Sequence, residues 1–169
     1  MERFRRTASR RCPLSYHSRM STALDGEQSR DDRRVVEVDI PSDVAFIETV
    51  VELVRRECQV MAFTRRQIML NVPVALTEAL SNAILRGNGD DPAKNVHVRA
   101  EVDTRRLIVE VGDEGVGFDL DMSERDPTKP ENLNREDGRG LYLMRKLMDR
   151  VEMVEVPRGS MVRMTLNRE

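Results

Sequence analysis

The chain of 169 residues carries 28 Lys or Arg against 30 Asp or Glu and is 39% hydrophobic, which excludes a mostly disordered chain and suits one globular domain. Four Phe, two Tyr and no Trp leave the core to aliphatic side chains and ten Met, while two Cys and two His are too few for a disulfide framework or a metal cluster. The net charge of −2 divides into +4 over residues 1–34 and −6 over the remainder, so the body is a poor platform for direct nucleic-acid binding.

Residues 1–34 are rich in Arg, Ser and Asp and lack apolar periodicity, so they are expected to form a disordered basic arm; residues 35–169 are expected to form one domain. No apolar stretch approaches the roughly 18 residues of a membrane span, and no apolar run follows the basic N-terminus as in a secretory signal. No membrane association and a cytoplasmic location are therefore expected.

Val35–Ile40 alternates apolar and polar positions as a half-buried strand does, and Pro41 ends it. Ser42 is the expected N-cap of a helix that carries Val44, Ile47, Val51 and Val54 and runs to about Arg56. Thr64 can cap a second helix, which continues through Ile68 and Leu76 to about Arg86 with a kink or break at Pro73, and which Gly87, Asn88 and Gly89 stop. Val96–Val102 and Leu107–Val111 read as a hairpin. Residues 112–137 form a long polar connection of the kind that is usually functional. A helix over about Gly140–Asp149 and strands Val151–Val156 and Met161–Leu166 close the chain. The order β-α-α-β-β-loop-α-β-β predicts an α+β, two-layer sandwich with a mixed, largely antiparallel sheet and helices on one face.

Three groups of residues could carry chemistry. Glu78, Asn82 and Arg86 fall at i, i+4 and i+8 on one face of the second helix, opposite the core-facing Leu76, Leu80, Ala83 and Ile84; the same line could be a solvated face with a Glu–Arg link. Val111–Phe118 leaves a strand with Asp113 followed by Gly115 and Gly117, so that backbone can approach a ligand whose amine the acid accepts; ordinary turns also collect Asp and Gly. Gly138, Arg139, Gly140 and Leu141 open the last helix, where unpaired N–H groups and the helix dipole suit phosphate, although a simple hinge has the same composition. Neither a Rossmann fingerprint nor a Walker P-loop is present.

Taken together, TEALSNAILRGN (77–88), VGDEGVGFD (111–119) and DPTKPENLNREDGRGLYLMRKLMDRVE (126–152) resemble the GHKL superfamily of ATPases with the Bergerat fold, as found in histidine kinases. More closely, the chain is similar to the bacterial anti-sigma factors that are serine-protein kinases. The resemblance implies Glu78 as general base, Asn82 as the amide that holds Mg²⁺, and Asp113 as the acceptor for the adenine amino group of ATP. It implies Gly115 and Gly117 around adenine, residues 119–137 as an ATP lid, Gly138, Arg139, Gly140 and Leu141 against the phosphates, and Gly159 and Ser160 near adenine. Members commonly have His where this chain has Arg86, which could contact phosphate or pair with Glu78; Arg cannot act as a base. The implied partners are a sigma factor, a STAS-domain anti-sigma factor antagonist and a second copy of the chain. The alternatives are a catalytically weak, ATP-sensing partner-switch module and an isolated histidine-kinase-like ATPase domain.

Overall fold

The computed structural model describes residues 15–20, 33–115 and 139–169. Within these, six strands form one sheet: β1 (Ser15–Met20), β2 (Arg34–Pro41), β3 (Asn95–Val102), β4 (Arg106–Asp113), β5 (Arg150–Val154) and β6 (Ser160–Asn167), ordered β1-β2-β3-β4-β6-β5. All five pairings are antiparallel, a stricter form of the expected largely antiparallel sheet. The three α-helices among the described residues are α1 (Ile47–Val60), α2 (Val72–Ser81) and α3 (Arg139–Leu147).

The sequence reading of residues 1–34 as a disordered arm is corrected at β1, which pairs along β2 from Ser15↔Asp39 to Met20↔Arg34. The remainder of that arm, residues 1–14 and 21–32, lies outside the described residues. The segment SYHSRM has no apolar alternation, the signal by which a strand is read. As the outermost strand, β1 is joined to the sheet through β2 alone.

The inner face of the sheet is Val-rich, as alternation requires: Val36, Val38, Ile40, Val96, Val98, Val109 and Met164 are buried against Val50, Val54, Leu76, Leu80 and Met144 from the helices. The outer face carries opposite charges in register across four neighbouring pairs, Glu37↔Arg99↔Glu110↔Arg163↔Glu152. Arg163 Nη2 lies 2.6 Å from Glu110 Oε1, and cross-strand neighbours of opposite charge are favourable.

Two caps depart from or refine the sequence reading. Asp43 rather than Ser42 caps the first helical turn, its carboxylate accepting from the Ala45 N–H at 2.9 Å. Ser42 is buried and its hydroxyl donates toward the Ile84 carbonyl at 3.4 Å, which removes it from the cap. Val44, placed on the first helix by its spacing, is 50% exposed in the 3₁₀ turn Val44–Phe46 that precedes α1. Thr64 caps as expected, in a reciprocal pair: Gln67 N–H donates to Thr64 Oγ1 (3.3 Å) and Thr64 N–H donates to Gln67 Oε1 (3.2 Å).

The helix that follows is regular only in its middle. A π-turn spans Gln67–Asn71, α2 starts at Val72 with Pro73 in its first turn, and a second π-segment spans Asn82–Gly87. Proline lacks the N–H that a continuous α-helix would direct to the carbonyl four residues earlier, and the wider turn before it accommodates the gap. By length and composition Gln67–Gly87 could cross a membrane, with a mean hydropathy of 1.5, which corrects the expectation that no stretch comes close. It is the central core helix, packed against both α1 and α3 with Gln67, Asn71, Leu76 and Leu80 buried.

Candidate functional site

The second π-segment sets the site. It begins at Asn82, one turn after the half-buried Glu78, and ends where the Asn88 N–H donates to the Ala83 carbonyl at 2.8 Å. Its wide turn ends the helix at Gly87, which lies directly against the end of β4. π-Turns recur at functional positions.

Asp113 is the last residue of β4 and is 8% exposed. Its carboxylate lies against the Cα of Gly87, where any side chain would overlap it, and its Oδ1 accepts from the Gly115 N–H at 2.9 Å. A Cβ on Gly115 would run into the Gly87 carbonyl, and one on Gly159 (φ +78°) into the Asp113 carbonyl. These three glycines are the positions where close backbone approach excludes a side chain. Ser160 pairs with Asp113 in the β4–β6 register, and its backbone N–H hydrogen-bonds the carboxyl group. Burial pushes the Asp113 carboxyl above the usual carboxylate range, although the N–H donors of Gly115 and Ser160 and the charge of Lys94 pull in the other direction.

The third motif arrives from across the chain. Gly140, in the first turn of α3, sits against the carboxylate–amide pair of the central helix: a Cβ there would be 2.6 Å from Glu78 Oε2 and 3.3 Å from Asn82 Nδ2. The line Glu78–Asn82 therefore faces the start of α3, and the reading of it as a solvated face is set aside. At the other end of the same pair of helices, Asn71 Nδ2 donates to the Leu147 carbonyl at 2.6 Å, which fixes α3 antiparallel to the central helix. Arg86 lies further along, exposed, and outside the described lining of the pocket; Arg139 is exposed at the start of α3.

Between these elements lies an open pocket of about 460 Å³, solvent-connected space included. Ala79, Ala83, Val111, Leu141, Met144, Met153 and Val162 make its walls apolar, and Asn82, Asp113 and Ser160 are its polar groups. Such a slot, with one buried carboxylate and few other polar atoms, suits a flat apolar ligand that presents an N–H donor. Gly117, Gly138 and the expected lid at 119–137 lie outside the described residues.

Sequence reasoning missed Asn88 and Glu114. Glu114 N–H donates to Asn88 Oδ1 at 2.9 Å, and Asn88 Nδ2 donates to the Asn95 carbonyl at 2.9 Å. From the sequence Asn88 reads as a helix stop; a buried amide that uses both ends of its side chain leaves no periodic signal in a sequence.

The model of the histidine kinase-like ATPase domain matches residues 40–166. Serine-protein kinase RsbW of Bacillus velezensis is 32% identical over 151 residues, 86% of this chain and 88% of that protein. Serine-protein kinase RsbW of Bacillus subtilis is 31% identical over 123 residues, covering 70% and 76%. The anti-sigma F factor of Oceanobacillus iheyensis is 31% identical over 102 residues, covering 57% and 68%. The chain belongs to the serine-protein kinase and anti-sigma factor family of histidine kinase-like ATPases.

Proposed function

We propose that the protein binds Mg-ATP in this pocket, phosphorylates a serine of a STAS-domain anti-sigma factor antagonist, and sequesters a sigma factor, acting in the cytoplasm as a homodimer. The observation that carries the reading is that three separate stretches each supply the pocket lining: Asn82, one turn from Glu78; Asp113, whose carboxylate accepts from Gly115; and Leu141, next to Gly140 at the start of α3. Sigma-factor binding and kinase activity are supported by the names of the relatives; the antagonist and the dimer follow from the family resemblance.

Each residue has a physical task in this reading. Asp113 accepts the adenine amino group, and the apolar walls take the ring faces. In this reading the N-terminal end of α3, which Gly140 lets sit against Glu78 and Asn82, faces the phosphate oxygens. Glu78 takes the proton of the attacking serine hydroxyl. Asn82 would hold Mg²⁺ through its amide oxygen. Magnesium is ordinarily held by one or two protein oxygens, with phosphates and water completing its shell, so a single amide beside a carboxylate fits. When bound, the ion neutralises charge on the phosphates.

The direct test is transfer of the ATP γ-phosphate to the cognate STAS-domain antagonist, with the modified serine located by mass spectrometry. Stoichiometric serine phosphorylation is expected, lost when that serine is replaced by Ala. ATP binding without transfer would favour the second reading, an ATP-sensing binding module, for which Arg86 in place of the family's usual His is the specific motive.

A smaller substitution tests the pocket floor. Gly87→Ala sets a methyl group against the Asp113 carboxylate, which must turn away. ATP affinity is expected to fall by about tenfold or more, the equivalent of one hydrogen bond to a charged group, as read by titration calorimetry. An unchanged Kd would detach Asp113 from the binding site.

A further inference from the structure

Asn88, at the end of the central helix, is 2% exposed. Its side chain joins two segments that are far apart in sequence. Oδ1 accepts from the Glu114 N–H (2.9 Å) and Nδ2 donates to the Asn95 carbonyl (2.9 Å). The Asn95 N–H in turn donates to Glu114 Oε2 (2.7 Å). The three bonds close a ring over three residues: the helix end, the start of β3 and the residue after β4. The other Glu114 oxygen lies 3.7 Å from His97 Nε2, and Lys94 Nζ donates to the Asn88 carbonyl at 3.3 Å.

Two corners of that ring adjoin the binding floor. Gly87, which backs the Asp113 carboxylate, precedes Asn88; Asp113 and Gly115, which supply the carboxylate and its internal N–H donor, flank Glu114. Only a side chain with a donor and an acceptor at this reach can serve both bonds: Asp lacks the donor, and Ser is too short. A charged group held away from water gains by turning outward, so its orientation needs a restraint of this kind.

We propose that Asn88, acting with Glu114 and Asn95, is a positioning residue for base recognition: the ring fixes the Glu114 peptide and with it the direction of the Asp113 carboxylate. The inference rests on the reading of Asp113 as the acceptor for the adenine amino group. Asn88 touches no ligand; its effect passes through Asp113 and is confined to recognition of the amine.

The test measures how the protein discriminates ATP from purine riboside triphosphate, which lacks the amine, by the ratio of their Kd values with Mg²⁺ present. Wild type is expected to prefer ATP. In Asn88→Ala that preference is expected to fall by about tenfold, and the affinity for purine riboside triphosphate to stay near wild type. Glu114→Ala cuts a different edge of the ring at a half-buried position and is expected to lower the ratio in the same direction; it decides alone if Asn88→Ala does not fold. A general loss of structure would weaken both nucleotides together and leave the ratio unchanged. A wild-type ratio in the folded variants overturns the positioning role, even where both affinities drop. If the wild type itself shows no preference for ATP, the Asp113 reading fails first and the inference falls with it.

Discussion

Replacing Glu78 with Gln is expected to leave Mg-ATP binding near the wild-type level and to slow phosphate transfer by about 100- to 10,000-fold, the range that a general base contributes. Gln is close to Glu in size, so it preserves the packing of the side chain against Gly140 and the start of α3. What it removes is the capacity to take a proton. Phosphoryl transfer relies mostly on positioning and electrostatics, so the residual rate should remain measurable. Calorimetry gives the binding half of the prediction, and single-turnover transfer to the antagonist gives the other. Transfer at the wild-type rate would remove Glu78 from the chemistry and make its contact with Gly140 a packing feature only.

The contrast between what the sequence disclosed and what it concealed follows from the range of each interaction. The strand Val35–Ile40 and the cap at Thr64 were legible because alternation and capping act over two to four residues, and the structure carries both. The meeting of Gly140 with Glu78 joins residues far apart in the chain, and no local pattern encodes it; only the resemblance of the three motifs taken together pointed there. Strand β1 was missed because its six residues do not alternate. Ser42 was misread for a different reason: it is a sound N-cap by residue type, but its hydroxyl is turned to the Ile84 carbonyl inside the π-segment, and Asp43 takes the cap. The π-segment itself has no sequence signature beyond its functional residues, and it is the element that brings Gly87 and Asn88 to the end of β4.

Asp113→Asn should have the largest effect on binding. The carboxylate is the one buried anionic acceptor among the described pocket residues, and Asn presents an N–H₂ group where the ligand amine requires a lone pair. The loss is expected to be about 1.5–3 kcal/mol, roughly 10- to 150-fold in Kd, by calorimetry at neutral pH. The pH dependence has a definite sign. Burial raises the Asp113 carboxyl above the usual range, so the folded chain holds that proton more tightly than the unfolded one. Its contribution to stability is fully present below the unfolded pKa and is lost as pH rises through the folded value. ATP binding needs the ionised form, so affinity should begin to fall at a higher pH than an ordinary Asp would impose. In Asp113→Asn that acid limb should vanish from the difference between ATP and purine riboside triphosphate. The variant is spared the buried charge but keeps one oxygen for the two N–H donors, Gly115 and Ser160, that the carboxyl group now serves, so its thermal midpoint without ligand should move little. Wild-type affinity in this variant would sink the assignment, because an amide cannot replace the charge and both lone pairs of a buried carboxylate at no cost.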